Sequence, residues 1–368
     1  MVRVVHTSDT HLGHQQYPRT DPSGLNQREQ DHYAAFHAVI DHAIATKAEL
    51  FLHAGDLFDG VRPSNRALAQ ALDGFLKLSR AEIPAIVIAG NHEHPKLRET
   101  GSPFRLFEHL DGIHPVYKSQ RESFDIAGAR IHAVPQCADS QTLGAQIAAC
   151  ELASGKPNIL VVHGAVTTLK AFAHAEFNEQ AVDPACFAPF DYVALGHFHG
   201  LQQVAPNAWY CGAPDRVSIG ESGEEKGCLD VQVTQGRSET TFVPIPGRTY
   251  ADLPTIDATG LDADQVLEAA RVAISRQPAA AVVRQRIAHL DPSLRGTLDL
   301  RAMQDAGKHL LHLDLSRMEW QDHPELAAGG AAFKPMAQEF EEFLAASPAP
   351  GADRARLLEL AKSVREGA

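Results

Sequence analysis

The chain has 368 residues, 44% of them hydrophobic and 21% charged, with no low-complexity tract, so it can bury a large core plus a smaller one and is too balanced for intrinsic disorder. Its formal net charge of −13 persists as an acid excess on both sides of residue 245, which excludes broad attraction to a polyanion; any phosphate-bearing partner must be met by a local basic patch or by bound cations. No apolar run approaches the roughly 18 residues that span a bilayer, the opening MVRVVHTSDTH lacks the apolar centre of a signal peptide, and the five cysteines are scattered without a C-x-x-C pair, so a cytoplasmic protein with reduced thiols and no membrane contact is expected.

In chain order, β-rich runs alternate with helical patterns. VRVVHTSD precedes DHYAAFHAVIDHAIA, whose apolar residues recur three and four apart; AELFLHAGD precedes SNRALAQALDGFLKL, with Ser64 placed as an N-cap; IPAIVIAGN, NILVVHG and DYVALGH follow. This alternation predicts an α/β fold.

Each of the five runs stops at a polar cluster: Asp9 and His11; Gly55, Asp56 and Asp59; Asn91, His92 and Glu93; His163; His197 and His199. Each ending alone reads as an ordinary turn. Ligands in open α/β sheets sit beyond the carboxyl ends of the strands, so the five endings are expected to converge at one edge of one sheet. His197 and His199, one residue apart at a strand end, are expected to point the same way. Burying Asp9 and Asp56 together without cations would cost several kcal/mol in desolvation and repulsion. The donors include no cysteine and suit Mn, Fe or Zn; seven are too many for one ion with an open position, whereas two ions about 3.5–4 Å apart that share a carboxylate would use them all.

The order D-x-H, G-D-x-x-D, G-N-H-[DE], H and G-H-x-H resembles the calcineurin-like metallophosphoesterases. SDTHLGHQQY, GDLFDGVRPS and YCGAPDRVSIGESGEEKG at 210–227 are further similar to SbcD-type DNA double-strand-break repair nucleases, with Gly-Ala-Pro-Asp-Arg a departure from the more usual Gly-Ser-x-Glu-Arg. The resemblance covers residues 1 to about 245. It implies a two-sheet sandwich flanked by helices, in which Asp9, His11 and His199 hold one metal, Asn91, His163 and His197 the other, and Asp56 bridges them. It makes His92 the catalytic histidine outside the metal shell and expects two Mn²⁺, with Fe, Zn or Mg as alternatives. Asp59 and Glu93 are expected to orient a histidine.

DNA contacts are expected from the first long loop and its neighbours: His14, Gln16, Tyr17, Arg19, Arg28, Arg62, Lys96 and Arg98, with Tyr17 and Arg28 preferred because they follow the first two ligands. The α/β nuclease domain is placed at 1–245, a small α+β capping domain at 246–322, and a linker with amphipathic helices at 323–368. In the capping domain DADQVLEAARVAI and LDLRAMQDAG read as helices, AAAVVRQRIAHL and HLLHLDLSRMEW as single strands. Met336, Phe340, Phe343 and Leu344, then Leu357, Leu360, Ala361 and Val364, form two short apolar stripes that the resemblance assigns to the coiled-coil arm of an SbcC-type ATPase. A homodimer through four helices is expected from Leu68, Leu72, Phe75 and Leu76 with Phe104, Leu106, Phe107 and Leu110. The competing readings are a phosphatase or phosphodiesterase of small-molecule or protein phosphoesters with the same metals, and a non-catalytic scaffold; the scaffold predicts lost ligands, and none is lost.

Overall fold

A computed structural model describes residues 1–93, 101–167 and 180–321. Lys96, Arg98 and the expected partner-docking helices lie outside the described residues. The strands are β1 Val2–Thr7, β2 Leu50–His53, β3 Ala85–Ile88, β4 Ile113–Val116, β5 Glu122–Ile126, β6 Ala129–Val134, β7 Asn158–His163, β8 Ala165–Val166, β9 Ala181–Val182, β10 Tyr192–Gly196, β11 Gln202–Ala205, β12 Ala208–Tyr210, β13 Gly227–Thr234, β14 Arg237–Pro244, β15 Tyr250–Asp252, β16 Ile256–Asp257, β17 Val282–Arg284, β18 Ile287–Leu290, β19 His312–Asp314 and β20 Met318–Trp320. The helices are α1 Gln27–Ala45, α2 Asn65–Arg80, α3 Ser140–Ala148, α4 Ala263–Ser275 and α5 Leu300–Ala306.

The described residues fall into two compact units, the first comprising Met1–Pro254, Ala270–Gln285 and Leu300–Leu315. Its frame is two six-stranded sheets, ordered β14-β13-β1-β2-β3-β4 and β11-β12-β10-β7-β6-β5. Period-two alternation sorts the side chains. Val4, Leu52 and Ile86 of the first sheet pack against Ile131, Val161 and Ala194 of the second, forming the inner core. Val5, Phe51 and Val87 point the other way, onto Phe36 and Ile40 of α1 and Phe75 of α2. The outer face of the second sheet, with Leu160 and Val193, is covered by Leu143 and Ile147 of α3. The layers are therefore helix, sheet, sheet, helix: the expected α/β sandwich.

Local chemistry sets the helix ends. Ser64 caps α2, its hydroxyl accepting from Ala67 N at 3.1 Å. Helix α1 begins before the apolar stripe shows, because the Asn26 side chain accepts from the amides of Arg28 and Glu29. Phe75, Phe104 and Phe107, expected at a dimer surface, are wholly buried in this chain's own core, whereas Leu72 and Leu106 are exposed. None of the five cysteines forms a disulfide.

Strands β15, β17 and β19 form a parallel sheet in the first unit. The second unit comprises Thr255–Ala269, Arg286–Asp299 and the chain from Ser316, and holds the parallel sheet β16-β18-β20. The runs expected as single strands are thus each broken in two. Pro254, without an amide to give, separates β15 from β16 in the same way. At the break between β17 and β18, Gln285 still donates its backbone amide to the Asp314 carbonyl at 3.0 Å while its side-chain amide donates to the Pro254 carbonyl at 3.0 Å.

Candidate metal centre

All five expected strand endings meet, but not at the edge of one sheet. Strands β1, β2 and β3 are parallel neighbours in the first sheet, β7 and β10 in the second. Face-to-face packing brings the two carboxyl edges together, a relation that no single-sheet reading contains. Hydrogen bonds cross the seam: His197 N donates to both Asp9 carboxylate oxygens at 3.1 Å, and His163 Nδ1 donates to the Ala54 carbonyl at 2.9 Å.

The seam is tight enough to demand glycine. A Cβ on Gly55 would lie 2.3 Å from the His163 ring, and one on Gly90 2.2 Å from Asp56 Oδ1. Asp9, His11, Asp56 and His197 adopt φ of 52°, 44°, 52° and 118°. Left-handed backbone at a non-glycine residue costs about 1–3 kcal/mol and persists only where its surroundings over-determine it. The strand also stops at Gly196, one residue short of His197. The two histidines of the last ending therefore do not share a direction: His197 Nδ1 lies 3.3 Å from Asn91 Oδ1, and His199 Nε2 lies 3.2 Å from His11 Nε2.

The seven expected donors form one cluster. Asp9 is grouped with His11 and His199, and Asp9 and Asp56 with His163. His163 Nε2 sits 2.9 Å from Asn91 Oδ1 and 3.4 Å from Asp56 Oδ2. Because Nδ1–H of His163 is committed to Ala54, the neutral ring turns a lone pair toward two oxygens. His199 repeats the pattern: its Nδ1–H donates to Glu221 Oε1 at 3.2 Å, so its Nε2 lone pair is turned toward His11 Nε2. Lone pairs aimed at lone pairs, beside two buried carboxylates, are a donor set that fits divalent cations and is strained without them. Cation-free, the cluster compensates with protons. Burial opposes charging His163, yet the Asp56 carboxylate outweighs it and lifts the imidazole to about 9. Burial likewise raises Asp56, and His163 with His11 more than reverses this, pulling it far below the usual carboxylate range.

His92 lies on the open side, its side chain 41% exposed, with Nδ1 donating to the Asp59 carbonyl at 3.0 Å and Nε2 3.9 Å from Asp56 Oδ2. Its ring nitrogen could also join a donor group with His11 and Asp56. The Asp59 carboxylate accepts from His14 Nδ1 at 3.0 Å and lies 3.5 Å from Nδ1 of His11, a metal-ligand candidate. Glu93 does not orient a histidine. It is wholly buried and accepts from Phe58 N at 2.8 Å and Gly90 N at 2.9 Å, tying the second and third strand endings together, while burial and then Asp56 push it up to about 8. Glu221 and Lys226 stand at the site although sequence reasoning assigned the 210–227 stretch no role there. E-x-x-x-x-K was the visible signal, but nothing local shows that it reaches His199.

The expected DNA contacts separate. Arg28 is wholly buried: its guanidinium donates to Asp31 at 2.5 Å, to Asp215 at 2.8 Å and to the Arg216 carbonyl, over the Tyr250 ring. It braces the core against the strand at 250–252 and is withdrawn from any duplex. Asp215 is the departure noted in the Gly-Ala-Pro-Asp-Arg stretch, and its carboxylate is what receives Arg28. Tyr17 is half-buried and stacked on His312 at 4.0 Å. Arg19 and Arg62 are exposed, Arg19 donating to the Lys308 carbonyl at 2.9 Å. Beside His197 and His199 opens a cavity of about 690 Å³, walled by Phe198, Leu201 and Glu224.

Residues 2–201 match the family described as calcineurin-like phosphoesterase. Among curated proteins, the chain is 30% identical over 203 residues to the DNA double-strand break repair protein Mre11 of Saccharolobus solfataricus, covering 54% of this chain and 50% of that one. It is 34% identical over 199 residues to the protein of the same name from Sulfurisphaera tokodaii, covering 54% and 49%, and 29% identical over 235 residues to that from Methanococcus maripaludis, covering 61% and 60%. The chain spans about half the length of the curated relatives it matches.

Proposed function

The chain belongs to the calcineurin-like phosphoesterase family, and from that premise we propose that it is a metal-dependent DNA nuclease that hydrolyses phosphodiester bonds at double-strand breaks, working with an SbcC-type coiled-coil ATPase. The observation that carries the reading is the convergence of seven oxygen and imidazole donors from five strand ends, in a chain whose relatives are named for double-strand break repair.

Family members bind a divalent metal pair. Asp9, His11 and His199 would hold one ion, Asn91, His163 and His197 the other, with Asp56 between them; the thiolate-free donor set suits Mn²⁺, with Fe, Zn or Mg as alternatives. Bound there, the pair would supply Lewis acidity, bringing a water's pKa toward neutrality and offsetting phosphate charge, as an acidic protein needs. The chain's own residues do the rest. Ala54 and Glu221 fix the tautomers of His163 and His199. His92, anchored by Nδ1–H to the Asp59 carbonyl, presents Nε2 toward Asp56 on the open side of the site. From there it donates a proton to the sugar oxygen as the phosphorus–oxygen bond breaks. Arg19 and Arg62, both exposed, are the phosphate contacts that remain; Tyr17 stays a candidate at the loop.

The same reading proposes a nuclease domain at 1–245, a capping domain at 246–322 and partner docking through 323–368 in a cytoplasmic protein. Exposed Leu72 and Leu106 support a homodimer. Among the described residues no helix is long and apolar enough to cross a membrane. The test is purified protein with Mn²⁺ offered linear duplex DNA, single-stranded DNA and a small aryl phosphodiester. Cleavage of DNA is expected. Turnover of the small ester alone, with the cognate ATPase present, would leave a phosphodiesterase of small substrates.

A further inference from the structure

The stretch at 210–227 closes a ring around one metal-ligand candidate. Glu221 Oε1 accepts from His199 Nδ1 at 3.2 Å, and Glu221 Oε2 pairs with Lys226 Nζ at 2.6 Å. Lys226 Nζ also donates to the His199 carbonyl at 2.8 Å and to Glu224 Oε2 at 2.7 Å. The lysine side chain is 2% exposed, and these three acceptors use all of its donors. His199 is thus gripped twice, at its imidazole by Glu221 and at its backbone by Lys226, and the two grips are bonded to each other.

The ring is itself held from outside. Val217 N donates to Glu221 Oε2 at 3.3 Å, and Arg216 Nε donates to the Glu221 carbonyl at 3.2 Å while its Nη2 reaches the Glu224 carbonyl. The arginine therefore shapes the short 3-10 turn Ile219–Glu221 that presents the carboxylate. Each charged residue of R-x-x-x-x-E-x-x-x-x-K acts on this geometry, and none of the three reaches outward to meet a polyanion.

We propose that Glu221, locked by Lys226, is a positioning residue that holds the His199 imidazole in the tautomer and orientation needed to bind the ion it shares with Asp9 and His11. A carboxylate behind a ligating histidine does two things: it keeps the proton on the far nitrogen and makes the near nitrogen a better donor. Lys226 is required because without it the 12%-exposed Glu221 carboxylate keeps no cation beside it and is held on Oε2 by the Val217 amide, too weakly to keep it from turning toward water and releasing the ring. The inference rests on the metal-site reading above and is independent of which ester is cleaved.

The experiment is calorimetric titration of metal-free protein with Mn²⁺, alongside melting curves. Two binding steps are expected in the wild type. Glu221→Gln keeps the shape and removes the charge; it should weaken one step about 10- to 100-fold and leave the other unchanged. Lys226→Met should weaken the same step. Glu221→Asp, with its carboxylate withdrawn by one methylene, should recover part of the loss, and it serves as the measured variant should Glu221→Gln fail to fold. Equal affinities in Glu221→Gln and wild type overturn the proposal, as does an equal weakening of both steps accompanied by a lowered melting temperature, which would make the stretch a folding element only. A wild type that takes up no divalent ion overturns the metal-site reading itself, a result distinguishable from the others.

Discussion

Asp59 holds His92 through its backbone carbonyl, at 3.0 Å from Nδ1, while its side chain lies 3.5 Å from His11 Nδ1. One residue thus sets both a metal-ligand candidate and the proposed proton donor, and the two histidine rings stand edge to face at 4.7 Å. Substituting His92 should therefore separate chemistry from metal binding. His92→Gln is expected to lower phosphodiester hydrolysis by about 10²- to 10⁴-fold while elemental analysis still finds two metals per chain; loss of one metal would place His92 among the ligands instead.

Asp56 is nearly inaccessible and lies within ligand distance of His163 on one side and His11 on the other. Its Oδ1 also accepts from His92 N at 3.0 Å. Glu93 cannot replace it there, because its carboxylate is committed to two backbone amides. Asp56→Ala should lose metal at both positions and all hydrolysis, as read by metal content after dialysis. Retention of both ions at wild-type affinity would contradict the bridging role.

Arg28 gives a prediction opposite in kind to that of an exposed arginine. Removing it leaves Asp215, 1% exposed, without its cationic partner, and stranding a buried charge costs about 3–5 kcal/mol. Arg28→Met should lower the melting temperature sharply. Arg62→Ala should leave it unchanged and reduce the salt dependence of DNA binding by about one phosphate. A variant of Arg28 with native stability and weakened DNA binding would return that residue to the interface.

Stability should fall as the solution is acidified through the histidine range. Burial holds His6 at about 3, despite a bond to the Leu195 backbone that favours the charged form, and its Nδ1 lies 2.8 Å from the Tyr192 hydroxyl. Between pH 6.5 and about 3 the unfolded chain binds a proton at this residue that the folded chain refuses. The folded state is therefore favoured above pH 6.5 and loses up to about 1.4 kcal/mol per pH unit below it, from this group alone. Melting temperatures at pH 7.5 and 5 should show the drop, and His6→Gln should flatten it. An unchanged slope in that variant would mean that other groups set the acid limit.

Local pattern determined much of this protein. The α/β alternation, the Ser64 cap and the five polar strand endings that meet in the structure are legible because strand and helix periodicity, turn residues and capping depend on near neighbours. Tertiary structure decided what each donor faces. Two sheets rather than one bring the endings together, since only face-to-face burial of Val4, Leu52, Val161 and Ala194 aligns their edges. Arg28 looked like a phosphate ligand by position and became a core brace because Asp215 lies 187 residues away in sequence and 2.8 Å away in space. Glu221 and Lys226 likewise reach back to His199 across a turn whose shape Arg216 imposes. A sequence shows which residues are able to bind, but the low-dielectric interior fixes which partner each buried charge must take, and that choice is made only when the chain has closed around it.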